Sequence, residues 1–347
     1  MDSTPGKCVL QRLGTTNGQI LGWDGVNCDP ERLKFVKAVV YDRFLRLKRG
    51  ESHADNINVF IKQEPHKIDK IRDERFRLIS AVSLVDTLID RILFGWLGRR
   101  ALNTVGKTPC LVGWTPLRGG WREMKAYYQN KPVICLDRSS WDWTVQEHVV
   151  DFWRQFVVAL APGAADWWVD MVNSRFDLLF RDARFEFSDG TVVQQPVTGI
   201  MKSGCYLTLL LNSVSQSYLH YLAQARLGES PRNCQPHCVG DDTVQFSMKD
   251  PLAYAKQLDL LGARVKGCKV QHWVEFCGFA FTNTCFPVYW KKHLYKLKYS
   301  NLSDVLVSYQ IIYANEPEMF QLLQKIALRV DPELVLSGVE AKAIMNG

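Results

Sequence analysis

Asp137, Asp241 and Asp242 are the side chains with the clearest chemical potential. Asp137 closes the apolar run Lys131-Pro-Val-Ile-Cys-Leu, and Asp241 and Asp242 follow Gly240 between two short β-prone runs, His237-Cys-Val and Thr243-Val-Gln-Phe. Two-metal phosphoryl transfer needs carboxylates from separate backbone segments, brought together so that ions about 3.5–4 Å apart clamp the attacking and leaving oxygens. Strand ends and tight turns supply such geometry. Magnesium keeps waters and substrate phosphate oxygens in its shell, so few protein ligands suffice. Taken singly, each of these positions also reads as ordinary turn chemistry, because Asp and Gly are common turn formers.

The elements that must carry these groups follow from periodicity. Residues 131–137 read as a buried strand, and 237–246 as two strands around the Gly-Asp-Asp turn. Upstream, residues 30–49 form a helix in which Leu33, Val36, Val40, Phe44 and Leu47 recur every three or four positions. A short strand at 59–64 leads into a basic stretch (Lys62, Lys67, Lys70, Arg72, Arg75, Arg77) and then an apolar segment from Leu78. Residues 145–160 are helical, and a hairpin turns at 188–190. The loop 199–204 feeds a helix in which Leu207, Leu210, Leu211, Val214, Tyr218 and Leu222 keep the 3.6 period. Residues 251–261 read as helix, 263–270 as strand-like and 274–281 as a second hairpin. Asn315-Glu-Pro-Glu318 fits a capping box opening an amphipathic helix. Residues 289–299 interleave Lys with aromatics, which suits either stacking along an RNA strand or an amphipathic strand.

Composition bounds the rest. At 47% hydrophobic and 23% charged over 347 residues, the chain buries the core of one large or two ordinary domains, which excludes disorder, collagen and coiled coil. No repeat or linker-like tract is present, so one compact catalytic body is expected. The formal charge of +7 permits a polyanionic partner without requiring one. Ten Cys without a C-x2-C pair argue against a disulfide scaffold and for a reducing, intracellular setting. Cys234 and Cys238, with His237, Cys268, His272, Cys277 and Cys285, have the right chemistry for zinc. Their spacing is that of neither a finger nor a ribbon, and Cys238 reads equally as a small buried hydrophobe. The N-terminus lacks the layout of a secretory signal. Residues 203–225, the longest uncharged run, carry too many polar groups for a lipid-facing helix, so no membrane span is expected.

In order, the chain reads Lys62-x-Glu64 with Arg77-Leu-Ile, Asp137-x4-Asp142, Gly199-x3-Ser203-Gly204-x3-Thr208-x3-Asn212, Gly240-Asp241-Asp242, Lys269, and Phe276-Cys-Gly278. This series resembles motifs F, A, B, C, D and E of the RNA-dependent RNA polymerases of positive-strand RNA viruses, over residues 59–281. The wording of residues 136–146, 199–206 and 240–245 is similar to the sobemovirus-like group and its invertebrate-virus relatives. Gly113-Trp-Thr-Pro116 and Arg118-Gly-Gly-Trp-Arg122 share that likeness. The resemblance implies an α+β right-hand polymerase fold. Fingers would occupy 1–130, with motif F at 59–81. A palm of antiparallel sheet backed by helices would occupy 131–285, interrupted by a fingers segment at 161–198. A small thumb would occupy 286–347.

The same resemblance implies template-directed RNA synthesis from nucleoside triphosphates. Asp137 and Asp241 would hold two magnesium ions, or manganese in their place, with Asp242 beside them. Asp142, Ser203 and Asn212 would form a network completed by the ribose 2′-hydroxyl, with Gly204 and Thr208 in the same substrate-binding motif. Lys62 and Arg77 would hold the triphosphate. Lys269 would protonate the departing pyrophosphate, with Lys266 as its competitor for that role, and Phe276-Cys-Gly278 would grip the primer. Implied partners are RNA template and product, and other viral replicase proteins or an upstream polyprotein segment that completes the fingertips. The implied location is the host cytoplasm, at membrane-associated replication complexes reached through partners. Two alternatives are a reverse transcriptase or other palm polymerase, and a non-catalytic RNA-binding replicase subunit. By resemblance, reverse transcriptases place a bulky aromatic where Asp142 stands and Tyr-x-Asp-Asp where residues 239–242 stand.

Overall fold

Eleven short strands take up the β-prone runs: β1 (Ile57–Ile61), β2 (Leu78–Ala81), β3 (Val133–Leu136), β4 (Arg184–Glu186), β5 (Val192–Gln194), β6 (His237–Val239), β7 (Asp242–Phe246), β8 (Val270–Gln271), β9 (Val274–Phe276), β10 (Phe279–Phe281) and β11 (Cys285–Pro287). The structure is a computed structural model describing residues 1–347. The chain folds into two units. The first gathers Met1–Asn103, Ser139–Tyr218 and Gly262–Arg264; the second gathers Thr104–Arg138, Leu219–Leu261 and Val265–Gly347. Each is assembled from discontinuous segments, so no linker composition marks a boundary in the sequence.

In the first unit, the Pro30–Lys48 helix begins where expected. Asp29 caps it by accepting the Arg32 N–H at 2.8 Å, and Pro30 occupies the first helical position, where its missing N–H costs nothing. Its sheet runs β2-β1-β4-β5, with β1 antiparallel to β2, parallel to β4, and β4 antiparallel to β5. Ile57, Val59, Ala183, Phe185 and Ile200 pack as one apolar cluster against it. Two long helices, Leu84–Asn103 and Asp166–Phe180, have no counterpart in the sequence expectations. Charges inside their buried faces break the apolar stripe. Arg175 is buried with Nε 2.6 Å from Asp90 Oδ1, and Arg43 is paired with Asp86 and, at 3.0 Å, with Asp55.

The second unit contains a fully antiparallel sheet, β6-β7-β3-β8, and a three-stranded antiparallel sheet, β11-β10-β9. Val133, Val244, Trp121, Tyr128, Phe276, Phe281 and Met345 share its main core. The Leu306–Ile312 and Pro317–Val330 helices close a smaller cluster around Leu306, Tyr313 and Leu323.

Four local expectations need correction. Residues 263–270 are mostly not strand: only Val270 and Gln271 join the ladder, and Val265 makes an isolated bridge to Arg138, because the polar, exposed Lys266 and Lys269 have no strand neighbour. Residues 289–299 are not an amphipathic strand but the Trp290–Tyr299 helix, which buries no residue. Asn315 caps nothing. Its amide donates to the Cys285 carbonyl at 3.2 Å, and Glu316 precedes the helix without a side-chain cap. The 145–160 helix is shorter than expected, Glu147–Ala159, after a single turn at Trp141–Thr144. No helix is long and apolar enough to cross a membrane.

Candidate active site

The carboxylate cluster lies in the second unit and is built by strand register. β3 and β7 pair antiparallel with Leu136 opposite Thr243, so the next residues outward, Asp137 and Asp242, leave the same end of that pair. Val239 opposite Asp242 closes the β6–β7 hairpin around Gly240 (φ +64°) and Asp241, a two-residue turn that suits glycine. Burial, then the charges of Asp241 and Asp137, push the Asp242 carboxyl up to about 6, while Lys266 pulls it down. Lys266 Nζ lies 2.6 Å from Asp137 Oδ2, and its backbone N–H donates to the Asp137 carbonyl at 3.1 Å. Both side chains are more than half exposed, so this pair adds little to stability. Buried Arg138 follows Asp137; burial holds its guanidinium below the usual range, opposed by Tyr254, Cys238, Asp241 and Asp259.

These residues fit a divalent ion in kind. All three offer hard oxygen donors, the class that magnesium and manganese prefer, and a cation would offset the burial and repulsion that raise Asp242. No group of three His, Cys, Asp or Glu side chains is drawn together closely enough to chelate one, and the Lys266 ammonium is the cation at Asp137.

The first unit holds a second cluster, around the loop 199–204. Asn212 Nδ2 donates to Asp142 Oδ1 at 3.3 Å, and Asn212 Oδ1 accepts the Trp141 indole N–H at 2.8 Å. The Met201 N–H donates to the Asp142 carbonyl at 2.7 Å. The Ser203 hydroxyl accepts the Ser80 N–H at 3.0 Å, and the Gly204 N–H donates to the Ser80 carbonyl at 2.9 Å. A Cβ on Gly204 would sit 2.8 Å from that carbonyl oxygen, and one on Gly199 2.2 Å from the Val145 oxygen, so both close approaches require glycine. The Thr208 hydroxyl lies 2.7 Å from the Lys202 carbonyl. In the same unit, the Lys62 N–H donates to the Arg77 carbonyl at 2.8 Å, and both side chains reach the mostly buried Glu64 at 3.3 Å. One carboxylate thus holds the two cations together.

A family model described as viral RNA-dependent RNA polymerase matches residues 32–265, more than half of the chain. The chain belongs to the viral RNA-dependent RNA polymerase family. The replicase polyprotein P2AB of Southern bean mosaic virus is 28% identical over 314 residues, covering 83% of this chain and 30% of that protein. The P2AB polyprotein of Cocksfoot mottle virus is 31% identical over 287 residues, covering 78% and 29%. The RNA-directed RNA polymerase of Mushroom bacilliform virus is 28% identical over 314 residues, covering 85% and 73%. The chain therefore spans about 30% of the length of the replicase polyproteins it matches. These similarities bear out the expected sobemovirus-like affinity. Polymerases of this family generally use divalent metal ions.

Within the chain, the expected residues fall into three groups, one of them Lys62 and Arg77 on Glu64. Asp137, Asp241 and Asp242 come together in the second unit; Asp142 and Asn212 come together in the first, whereas Ser203 and Gly204 bond Ser80 and the Thr208 hydroxyl bonds the Lys202 carbonyl. Lys266, not Lys269, touches Asp137; Lys269 is exposed. The Cys and His side chains considered for zinc form no ligand group. His237 bonds the Tyr128 hydroxyl at 2.8 Å, His272 lies 3.3 Å from the Asn130 carbonyl, and Cys238 and Cys285 are buried. Sequence reasoning passed over Trp141, Ser80, Gln195 and Lys202. For Lys202 a signal existed, a charged residue inside the otherwise uncharged loop 199–204.

Proposed function

We propose that this polymerase synthesises RNA on an RNA template from nucleoside triphosphates, by in-line nucleotidyl transfer. The observation that carries the reading is the placement of Asp137 and Asp242 on one end of the β3–β7 pair, with Asp241 in the adjoining turn and Asp242 pushed up to about 6. In this reading, fingers (1–130 and 161–198), palm (131–285) and thumb (286–347) divide the chain. Asp137, Asp241 and Asp242 would hold two magnesium or manganese ions, which when bound acidify the primer 3′-hydroxyl and neutralise charge on the transferred phosphoryl.

The chain's other residues bind, select and move protons. Lys62 and Arg77 grip triphosphate oxygens with charge-assisted hydrogen bonds, exchanging Glu64 for phosphate. Asp142 and Asn212, with Ser203, recognise the ribose 2′-hydroxyl. A deoxyribonucleotide leaves these polar groups unpaired, and such vacancies discriminate strongly. Lys269 gives a proton to the departing pyrophosphate, a task for an ammonium near the phosphates, with Lys266 as the alternative donor. RNA template and product, and further replicase segments, are the partners, at cytoplasmic membrane-associated complexes reached through those partners.

The test is incorporation of a single ribonucleotide against its 2′-deoxy analogue on an RNA-primed RNA template. The reading expects strong preference for the ribonucleotide. Equal or preferred use of the deoxy analogue would point to a reverse transcriptase instead.

A further inference from the structure

Lys202 has no part in the chemistry above, yet its side chain is fully buried, 5.4 Å from the ring centres of both Phe180 and Phe185. Burial pushes its ammonium down to about 7. A lysine is seldom kept in such a place unless its donors are used. They are used on the loop 199–204. Nζ donates to Gln195 Oε1 and, at 2.8 Å, to the Ile200 carbonyl, and lies 3.5 Å from the Gly199 carbonyl. Gln195 is buried as well, and its amide donates to Phe180 O at 2.5 Å, Val197 O at 2.7 Å and Gly199 O at 3.1 Å.

This bonding bears on a strained point. Ile200 has φ +52°, a left-handed conformation that costs a β-branched residue roughly 1–3 kcal/mol and persists only where surrounding bonds enforce it. The bend at Ile200 decides where the following N–H groups point. Met201 N–H reaches the Asp142 carbonyl, Ser203 accepts from Ser80, and the Lys202 carbonyl takes the hydroxyl of Thr208, first residue of the helix that carries Asn212.

We propose that Lys202 is a positioning residue for ribose selection: by bonding Gln195 and the Ile200 carbonyl it fixes the bend of the loop 199–204, and with it the registry of Asp142 against Asn212. The proposal rests on the polymerase reading and deepens it. Lys202 touches no substrate and acts only through the loop.

The Lys202→Met variant separates this role from a purely structural one. Met has a similar length and suits a cavity between two phenylalanine rings, so the core stays filled and the variant should fold, less stably than the wild type because the Ile200 carbonyl and Gln195 Oε1 lose their donor. In the full chain, the expected result is a KM for the correct ribonucleotide raised about tenfold, kcat changed less than about threefold, and ribose-over-deoxyribose preference reduced about tenfold, the scale of one lost charge-assisted hydrogen bond. Amide hydrogen exchange at Ile200, Met201 and Gly204 should quicken at least about tenfold in the same variant, a readout that needs no catalysis. Gln195→Met removes the other partner and is measured alongside; it should move selectivity in the same direction. It decides the matter if Lys202→Met does not fold.

Unchanged KM and selectivity in a folded variant overturn the proposal, as does quickened exchange without any change in selectivity. If the wild-type chain incorporates no nucleotide, the polymerase reading is what fails. The exchange experiment then still reports whether Lys202 holds the loop, and unchanged exchange rejects that too.

Discussion

Asn212→Ala removes a side chain that bridges two partners. Its oxygen accepts the Trp141 indole N–H at 2.8 Å, and its amide donates to Asp142 at 3.3 Å. Trp141 is only 3% exposed, so the indole N–H would be left without water or protein to bond, at a cost of about 1–3 kcal/mol. Loss of the longer bond to Asp142 adds up to about 1 kcal/mol. A total near 2–4 kcal/mol should lower the urea midpoint followed by tryptophan fluorescence. Without the Asn212 amide on Asp142, ribose preference should fall by roughly 10–100-fold in single-nucleotide incorporation. Asn212→Asp keeps an acceptor for Trp141 but sets two carboxylates side by side. It should recover much of the indole term while selectivity stays low at neutral pH. If Asn212→Ala unfolds at the wild-type urea concentration and keeps its ribose preference, the Trp141–Asn212–Asp142 chain does not hold Asp142, and the reasoning fails.

Arg175→Met strands the fully buried Asp90 carboxylate and should destabilise the first unit by about 3–5 kcal/mol in urea unfolding, whereas Asp90→Leu with Arg175→Met should regain most of that loss. Gly204→Ala should lower thermal stability and slow incorporation, because its Cβ must push against the Ser80 carbonyl; a wild-type melting curve would show that the loop gives way freely. Asp242 titrates near 6 when folded, above the ordinary 3.8, so its contribution to stability is full below about 3.8 and is lost as pH rises through 6. Without divalent metal, Asp242→Asn should therefore be more stable than wild type above pH 6, by on the order of 3 kcal/mol, with the difference vanishing toward pH 4. A pH-independent difference would contradict the shift.

The strand end and the tight turn that carry the carboxylates were legible because each is local, while their meeting across the β3–β7 pair was legible only through the resemblance. A strand ending at Asp137 and a two-residue turn at Gly240 and Asp241 follow from neighbouring residues alone. The spacing of Gly199, Ser203, Gly204 and Asn212 was legible only through the family resemblance, because the close approaches to Ser80 and Val145 that require glycine are tertiary. Lys266 beside Asp137 was not, because the bridge between Val265 and Arg138 that brings it there is a tertiary event without a pattern. The Leu84–Asn103 and Asp166–Phe180 helices escaped because Asp86, Asp90 and Arg175 sit on their buried faces and read as surface. The helix at 290–299 escaped because its alternating Lys and aromatic residues satisfy two periods at once and only a narrow face, Leu297 and His293 against Tyr309 and Tyr313, is partly covered. The buried lysine at 202 runs against every composition rule for cores, which is why its partners had to be seen.

The most direct measurement is primer extension on a short RNA template with magnesium and labelled ribonucleotides, wild type beside Asp241→Ala, both first shown to be folded by circular dichroism. The account predicts extension by the wild type and none by Asp241→Ala. Extension by Asp241→Ala at the wild-type rate would contradict it, because the turn between β6 and β7 would then not be where the chemistry occurs.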